Sequence, residues 1–431
     1  MDDGCTVLER DSHVQVLLES MILNCGQITR RVTADSRQEI VLSFHGWWSE
    51  ERTADILADL AAIRTCVGSC DMMLSLELKD VEVSNHDLGH AILSSLVNCR
   101  HLTLNECLGS HLDILVASCL EHLPQLQTFT YCGSSWNLSS FPTYGAASNL
   151  KGIHLENCRF KSSNEVESLA LGLKRCAVMK MVQLTHCCLK DEDLKVIVKH
   201  LPVSIQTLDL TGNYCRSEGA AALAGVLLDN AYQQLETINL TNQHPGECGG
   251  SLDLSLLGLA IVSNTSLRHL DLSFNMLSCL DIQSLVASLA KNRTLCSIHL
   301  MGNVLDDRAM HFIGKYLPRI QALACLNILA NRFGETGADA LLHGLTTNVV
   351  LCDLPMPRGF MASERIDYYL ALNRGGRRLL HNGGSLTAPC PLSLWKLVLG
   401  RVNGLYENDP SMRATVLFHL LQGPVLLGKR T

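Results

Sequence analysis

The stretch Leu267-Arg-His-Leu270-Asp-Leu272-Ser-Phe-Asn275 decides the fold, because it returns at a fixed distance. Leu295-Cys-Ser-Ile298-His-Leu300-Met-Gly-Asn303 and Leu323-Ala-Cys-Leu326-Asn-Ile328-Leu-Ala-Asn331 share its frame. A further copy opens at Leu351, so these starts lie 28 residues apart. Self-similarity at such a period marks stacked supersecondary units. Read backwards, the frame L-x-x-L-x-L-x-x-N fits at Leu235, Ile205, Met179, Leu150, Leu126, Cys99 and Met73, with gaps of 24 to 32 residues. That makes eleven frames, and Glu39-Ile-Val-Leu42-Ser-Phe44 reads as a degenerate twelfth.

Within each frame the alternating L-x-L predicts a short strand that buries one side and exposes the other. The residues that follow are rich in Ala and Leu at helical spacing, as in Ser217-Glu-Gly-Ala-Ala-Ala-Leu-Ala-Gly-Val-Leu-Leu and Glu335-Thr-Gly-Ala-Asp-Ala-Leu-Leu-His-Gly-Leu. The ninth position holds Asn213, Asn275, Asn303 and Asn331 in later frames, and Cys107, Cys158 and Cys187 in earlier ones. An inward Asn can satisfy backbone groups that would otherwise be buried without partners, and Cys fits the same narrow space. Frame, Asn/Cys alternation and period resemble the ribonuclease-inhibitor-like class of leucine-rich repeats over residues 73–357. The resemblance implies an α/β leucine-rich-repeat solenoid (horseshoe) with a concave parallel β-sheet, outer helices and helical caps. Its relatives include ribonuclease inhibitors, the sensor halves of nucleotide-binding immune receptors and Ran GTPase-activating proteins.

Three parts follow: residues 1–72 as an N-terminal cap with the degenerate repeat, 73–357 as about ten to eleven repeats, and 358–431 as a helical C-terminal cap. With 431 residues, 47% of them hydrophobic, a large core can form, because a repeat array adds core with every copy. The net charge of −7 comes from interspersed acids and bases without a basic block, which argues against nucleic acid as a partner. The start MDDGCTVLERD has no basic segment followed by an apolar one, and apolar runs such as Leu254–Val262 fall short of the ~20 residues a bilayer span needs. No membrane partner is expected, and the expected location is cytoplasmic, with the nucleus also open. Nineteen cysteines, an odd number with several at one repeat position, fit a reduced setting better than a disulfide framework. Asn-x-Ser/Thr triplets at Asn137, Asn239, Asn264 and Asn292 carry no weight in a chain that is not exported.

The frame is broken in places. Ser134 to Ser148 replaces a clean helix, and Asn242 to Gly250 inserts Gly and Pro after the strand at 235; both read as surface loops, either neutral drift or binding features. An amphipathic helix is expected over Val14 to Leu23, and Trp47-Trp48 reads as part of the cap or as an interface. Ser363 to Leu380 reads as a helix interrupted at Gly375-Gly376. PLSLWKLVLGRVN, from 391, is either cap or a loose likeness to the first helix of F-box or SOCS-box adaptors.

Walker-type, H-E-x-x-H, G-x-S-x-G and paired C-x-x-C motifs are all missing, so no catalytic residue, cofactor or metal is expected and the chain reads as non-enzymatic. Frame positions three, five and seven should face the concave side. They present the candidate protein-binding residues His154, Glu156, Asp209, Asn239, His269, Asp271, His299 and Asn327. His269, Asp271 and His299 are metal-ligand types, but a polar sheet face is what the fold requires anyway. The expected function is a protein-protein interaction scaffold that binds a protein partner, of unspecified identity, on the concave face. The alternatives are a Ran-type GTPase activator and a ubiquitin-ligase substrate adaptor. The oligomeric state stays open.

Overall fold

Alternating leucines become strands at ten of the eleven frames, and the one at Leu351 keeps only an isolated bridge at Asp353. The computed structural model of the chain describes residues 26–32, 38–45, 50–67, 73–83, 90, 92–94, 99–123, 125–133, 149–243, 252–357, 359–377 and 392–422. The expected helix at 14–23, the tryptophan pair, the 134–148 insertion and most of the 242–250 loop lie outside them. Two compact units divide the chain: residues 1–222 with 231–235, and residues 223–230 with 236–431.

In the first unit, strands β1 (Gly26–Val32), β2 (Gln38–His45), β3 (Met73–Lys79), β4 (Cys99–Asn105), β5 (Thr128–Cys132), β6 (Gly152–Glu156), β7 (Met181–Thr185) and β8 (Thr207–Asp209) lie side by side in chain order. Only β1 runs antiparallel to its neighbour. Pairing keeps the frame: Leu42 faces Leu76, Leu76 faces Leu102, and Glu156 faces Thr185. The segment at 39–44 therefore sits as a parallel strand at the start of the array. The helices here are α1 (Glu50–Val67), α2 (Leu112–His122), α3 (Ser163–Arg175), α4 (Asp191–Lys199) and α5 (Ser217–Leu228), the last reaching the residues assigned to the second unit.

The second unit repeats the pattern with strands β9 (Thr237–Asn239), β10 (His269–Asp271), β11 (Ser297–His299) and β12 (Cys325–Asn327), and with helices α6 (Ser255–Ser263), α7 (Cys279–Leu289), α8 (Asp307–Tyr316) and α9 (Glu335–Leu345). All four strands are parallel, with Asp271 facing His299 and His299 facing Asn327. One strand and one helix per copy make this an α/β leucine-rich-repeat solenoid. Helices α8 and α9 touch backbone to backbone: a Cβ on Gly314 would lie 2.2 Å from the carbonyl oxygen of Ala340. After the last frame come α10 (Ser363–Arg374), α11 (Leu392–Leu405) and α12 (Pro410–Gln422). They share a small core of Ala371, Leu372, Val398, Val402, Val416 and Leu420.

Each copy ties itself to the next through polar side chains. Asn303 at position nine accepts from the N–H groups of Asn275 (2.9 Å) and Leu277 (3.0 Å) and donates to the carbonyls of Leu272 (3.1 Å) and Leu300 (2.9 Å). Gln243 holds the same position in its own frame, fully buried, with its N–H donating to Asn275 Oδ1 at 2.7 Å. A second asparagine ladder runs through the loops ahead of the strands. Asn292 donates to the carbonyls of Ile261 (2.7 Å) and Asn264 (3.1 Å), and Asn348 to those of Leu317 (2.7 Å) and Ile320 (3.0 Å). Asn264 and Asn292 are both buried.

Position eight carries a further rule that leucine spacing does not reveal. Asp80, Glu106, Gly133, Asn157, His186, Gly212, Asn242, Phe274, Gly302 and Ala330, one from each of ten successive frames, all have positive φ. The chain leaves each strand through a left-handed residue, which lets the ninth side chain turn inward.

Candidate functional site

On the sheet face of the second unit, strands β9 to β12 set Asn239, Asp271, His299 and Asn327 in one row, since these residues pair directly across the ladder. His269 stands exposed in the neighbouring row, facing Thr237 and Ser297. In the first unit, His154 and Glu156 lie on β6 and Asp209 on β8, all half-buried. His154 Nε2 meets Thr185 Oγ1 at 3.2 Å.

The Asp and Asn residues at position five are engaged by backbone two residues further on. Asp209 Oδ1 accepts from the Thr211 N–H (3.0 Å) and hydroxyl (2.7 Å), and Asn239 Oδ1 from the Thr241 N–H (2.9 Å). Asp271 Oδ1 accepts from the Ser273 N–H (2.9 Å), and Asn327 Oδ1 from that of Leu329 (3.1 Å). These are the Asx-type bonds that end a strand, so the row of Asp and Asn shapes the exit turn as well as the surface. Position seven departs from expectation: Thr185 and Ser273 are buried instead of facing outward. Ser273 follows a strand that already stops at position five, whereas Thr185 closes β7 itself, and Thr211, Thr241, Met301 and Leu329 at the same position stay half-exposed.

His299 is the exception in its row. Its Nδ1 lies 3.4 Å from Asp271 Oδ2, and its Nε2 lies 4.0 Å from the thiol of Cys325. Cys325 in turn sits 3.5 Å from Asp353 Oδ2, at the isolated bridge that follows β12. Burial and the Asp353 carboxylate both push the Cys325 thiol up, against a lowering contribution from Ser297. Among the described residues, no group of three or more His, Cys, Asp or Glu is placed to hold a metal ion.

At the strand exits of this unit, Phe274 and Met276 both have positive φ and are 48% and 62% exposed. An aromatic residue in left-handed backbone is an outlier in energy, and here its ring also remains half in solvent. The ring is laid across the next repeat: a Cβ on Gly302 would fall 2.4 Å from Phe274 ring carbons. Met301, half-exposed, continues the apolar edge. Leucine spacing passed over Phe274 and Met276 because they fall between frame positions that point to core or sheet face. For Phe274 the signal that could have found it is a large apolar residue at position eight, where no other frame carries one; Met276 stands two residues further on, at position ten.

No protein-family model matches the chain. Among solved structures, an internalin from Listeria monocytogenes is similar at 12% identity, covering 81% of this chain and 95% of its own, with a TM-score of 0.42. Actin-binding site 2 of leiomodin-1 is similar at 15% identity, covering 37% of this chain and 91% of its own, with a TM-score of 0.32. Among the described residues no helix is long and apolar enough to cross a membrane.

Proposed function

We propose that the chain is a non-enzymatic interaction scaffold of the ribonuclease-inhibitor-like class, working in a reducing compartment, and that a protein partner docks on the sheet face of the second unit and its strand-exit edge. One observation carries this reading: Phe274 and Met276 hold strained, exposed positions that the fold itself would fill better with Gly or Asn. Aromatic and Met side chains anchor protein interfaces. They adjoin a polar row in which no Lys or Arg occupies positions three, five or seven of the frames beginning at 235, 267, 295 and 323. The free cysteines among the described residues accord with the compartment.

The test uses Phe274→Asn, because Asn is native at position eight in Asn157 and Asn242 and adopts positive φ there, together with Met276→Asn, since Asn is a residue that visits left-handed backbone readily. The immobilised chain and the variant are compared for quantitative capture, followed by direct binding of the captured protein in purified form. Loss of that binding with an unchanged melting temperature is expected; equal binding by the variant would move the site elsewhere.

A further inference from the structure

The Asp271–His299–Cys325–Asp353 line has a chemistry that docking does not use. We propose that Cys325 is a reactive thiol, served by His299 as general base and fitted to disulfides that carry positive charge. The inference stands apart from the docking reading and does not need it.

The geometry orders the parts. Ser273 N–H holds Asp271 Oδ1 at 2.9 Å, which leaves Oδ2 to face His299 Nδ1 at 3.4 Å. A proton on Nδ1 satisfies that contact and leaves the Nε2 lone pair toward Cys325 Sγ at 4.0 Å. The thiol is half-exposed, so an incoming sulfur can reach it. Asp353, 3.5 Å away on the other side, favours the S–H over the thiolate. A thiol kept protonated at rest needs a base during attack, and His299 is that base, as in other nucleophile–imidazole–carboxylate arrangements.

The step balances without a further reagent. Cys325 S–H gives its proton to His299 Nε2 as Sγ attacks one sulfur of the disulfide. The Cys325–S bond forms, the S–S bond breaks, and the departing thiolate takes the proton from the imidazolium. The products are a mixed disulfide on Cys325 and one free thiol. The sign of the substrate follows from the two carboxylates: an anionic disulfide approaches Asp353 and Asp271 against repulsion, whereas an ammonium-bearing one is attracted.

The experiment treats the full chain at neutral pH with cystamine, which is cationic, and in parallel with an anionic aromatic disulfide, and follows each cysteine by peptide mass spectrometry. Cys296, half-exposed one strand away, is the internal reference. We expect cystamine to modify Cys325 at least about tenfold faster than Cys296 and faster than the anionic reagent does. His299→Asn should remove that advantage while leaving Cys296 unchanged, since Asn is native at this frame position in Asn239 and Asn327. Asp353→Asn should erase the preference for the cationic reagent. Equal rates at Cys325 and Cys296, or a Cys325 rate indifferent to His299→Asn, overturns the proposal.

Discussion

Position nine is filled by sulfur in three of the early repeats, at Cys107, Cys158 and Cys187, and by a carboxamide in the later ones, and the two side chains do different amounts of bonding. Cys187 Sγ donates toward the carbonyls of Leu155 (3.4 Å) and Thr185 (3.3 Å), with one weak proton to share. Asn303 accepts twice and donates twice, reaching both its own repeat and the one before it. Asn213 marks the change: it already accepts from the N–H groups of Cys187 and Leu189, both at 3.1 Å. The difference teaches that one repeat geometry tolerates two kinds of joint, a packed one that depends on thiols staying neutral and a bonded one that does not.

The largest effect should come from pH. Burial pushes Cys107 up to about 12 and Cys176 to about 11, and raises Cys119 and Cys215 as well; Cys158 is raised first by its neighbour Cys187 and then by burial. All five lie in the first unit. The unfolded chain ionises these thiols near their ordinary value of 9.0 while the folded chain keeps the protons. Stability is therefore intact below about pH 9 and falls as pH rises towards the folded values. Between pH 8 and 10 each of these thiols costs on the order of 1 kcal/mol, so the five together remove several kcal/mol. In the second unit the raised thiols Cys325 and Cys352 are only half-buried, so the loss there is smaller. Limited digestion with an alkaline protease at the two pH values should place the new cuts in the first unit. Cuts shared evenly between the units would break the comparison.

Next in size is Asn303→Ala, which leaves two N–H and two carbonyl groups buried without this partner and should cost about 4 kcal/mol in urea unfolding. Asn303→Cys installs the early-repeat joint in a late repeat and should cost about 2 kcal/mol, since it restores a donor and no acceptor. Equal costs for the two variants would mean that the amide acceptor contributes nothing.

Both of these joints were legible in the sequence, because a leucine frame with a fixed period leaves position nine facing inward. The frame also placed every strand from β3 to β12, and the sheet-face residues followed from period-two alternation. Three features were not legible. The position-five Asp and Asn look like free surface groups until their bonds to residues two further on are seen, and that bond depends on where the strand stops. The left-handed eighth residue is filled by side chains as different as Glu106, Phe274 and Ala330, so no residue type announces it. The His299–Cys325 contact joins positions five and three of adjacent copies, a diagonal that appears only when strands are laid in register.

A third comparison pairs two exits that use one device. His186 covers Gly212 in the first unit as Phe274 covers Gly302 in the second: Cβ atoms placed on those glycines would lie 2.2 Å and 2.4 Å from the rings. Gly302→Ala must hold φ near +68° and displace the ring, for about 2 kcal/mol. Ala330 shows that the backbone itself accepts Ala there, with φ 56°. Phe274→Ala should then recover about half of that loss in a double-mutant cycle, and additivity would mean that ring and glycine do not interact.

The smallest effect concerns the helix starts, where the two units should behave alike. Asp307 Oδ1 accepts from the N–H groups of Gly334 (2.6 Å) and Gly337 (3.1 Å), so the carboxylate at the start of α8 caps the start of α9. Asp191 does the same from α4 to α5, accepting from Arg216 (2.6 Å) and Glu218 (3.2 Å). Each carboxylate meets the first N–H groups of the next helix and the positive end of its dipole, an arrangement worth about 1 kcal/mol. Asp191→Ala and Asp307→Ala should lower stability by similar amounts, and the corresponding Asn variants by less, because an amide oxygen keeps the bonds and loses only the charge. If Asp307→Ala costs several times more than Asp191→Ala in urea unfolding, the joints between helices, like those at position nine, differ between the two halves of the chain.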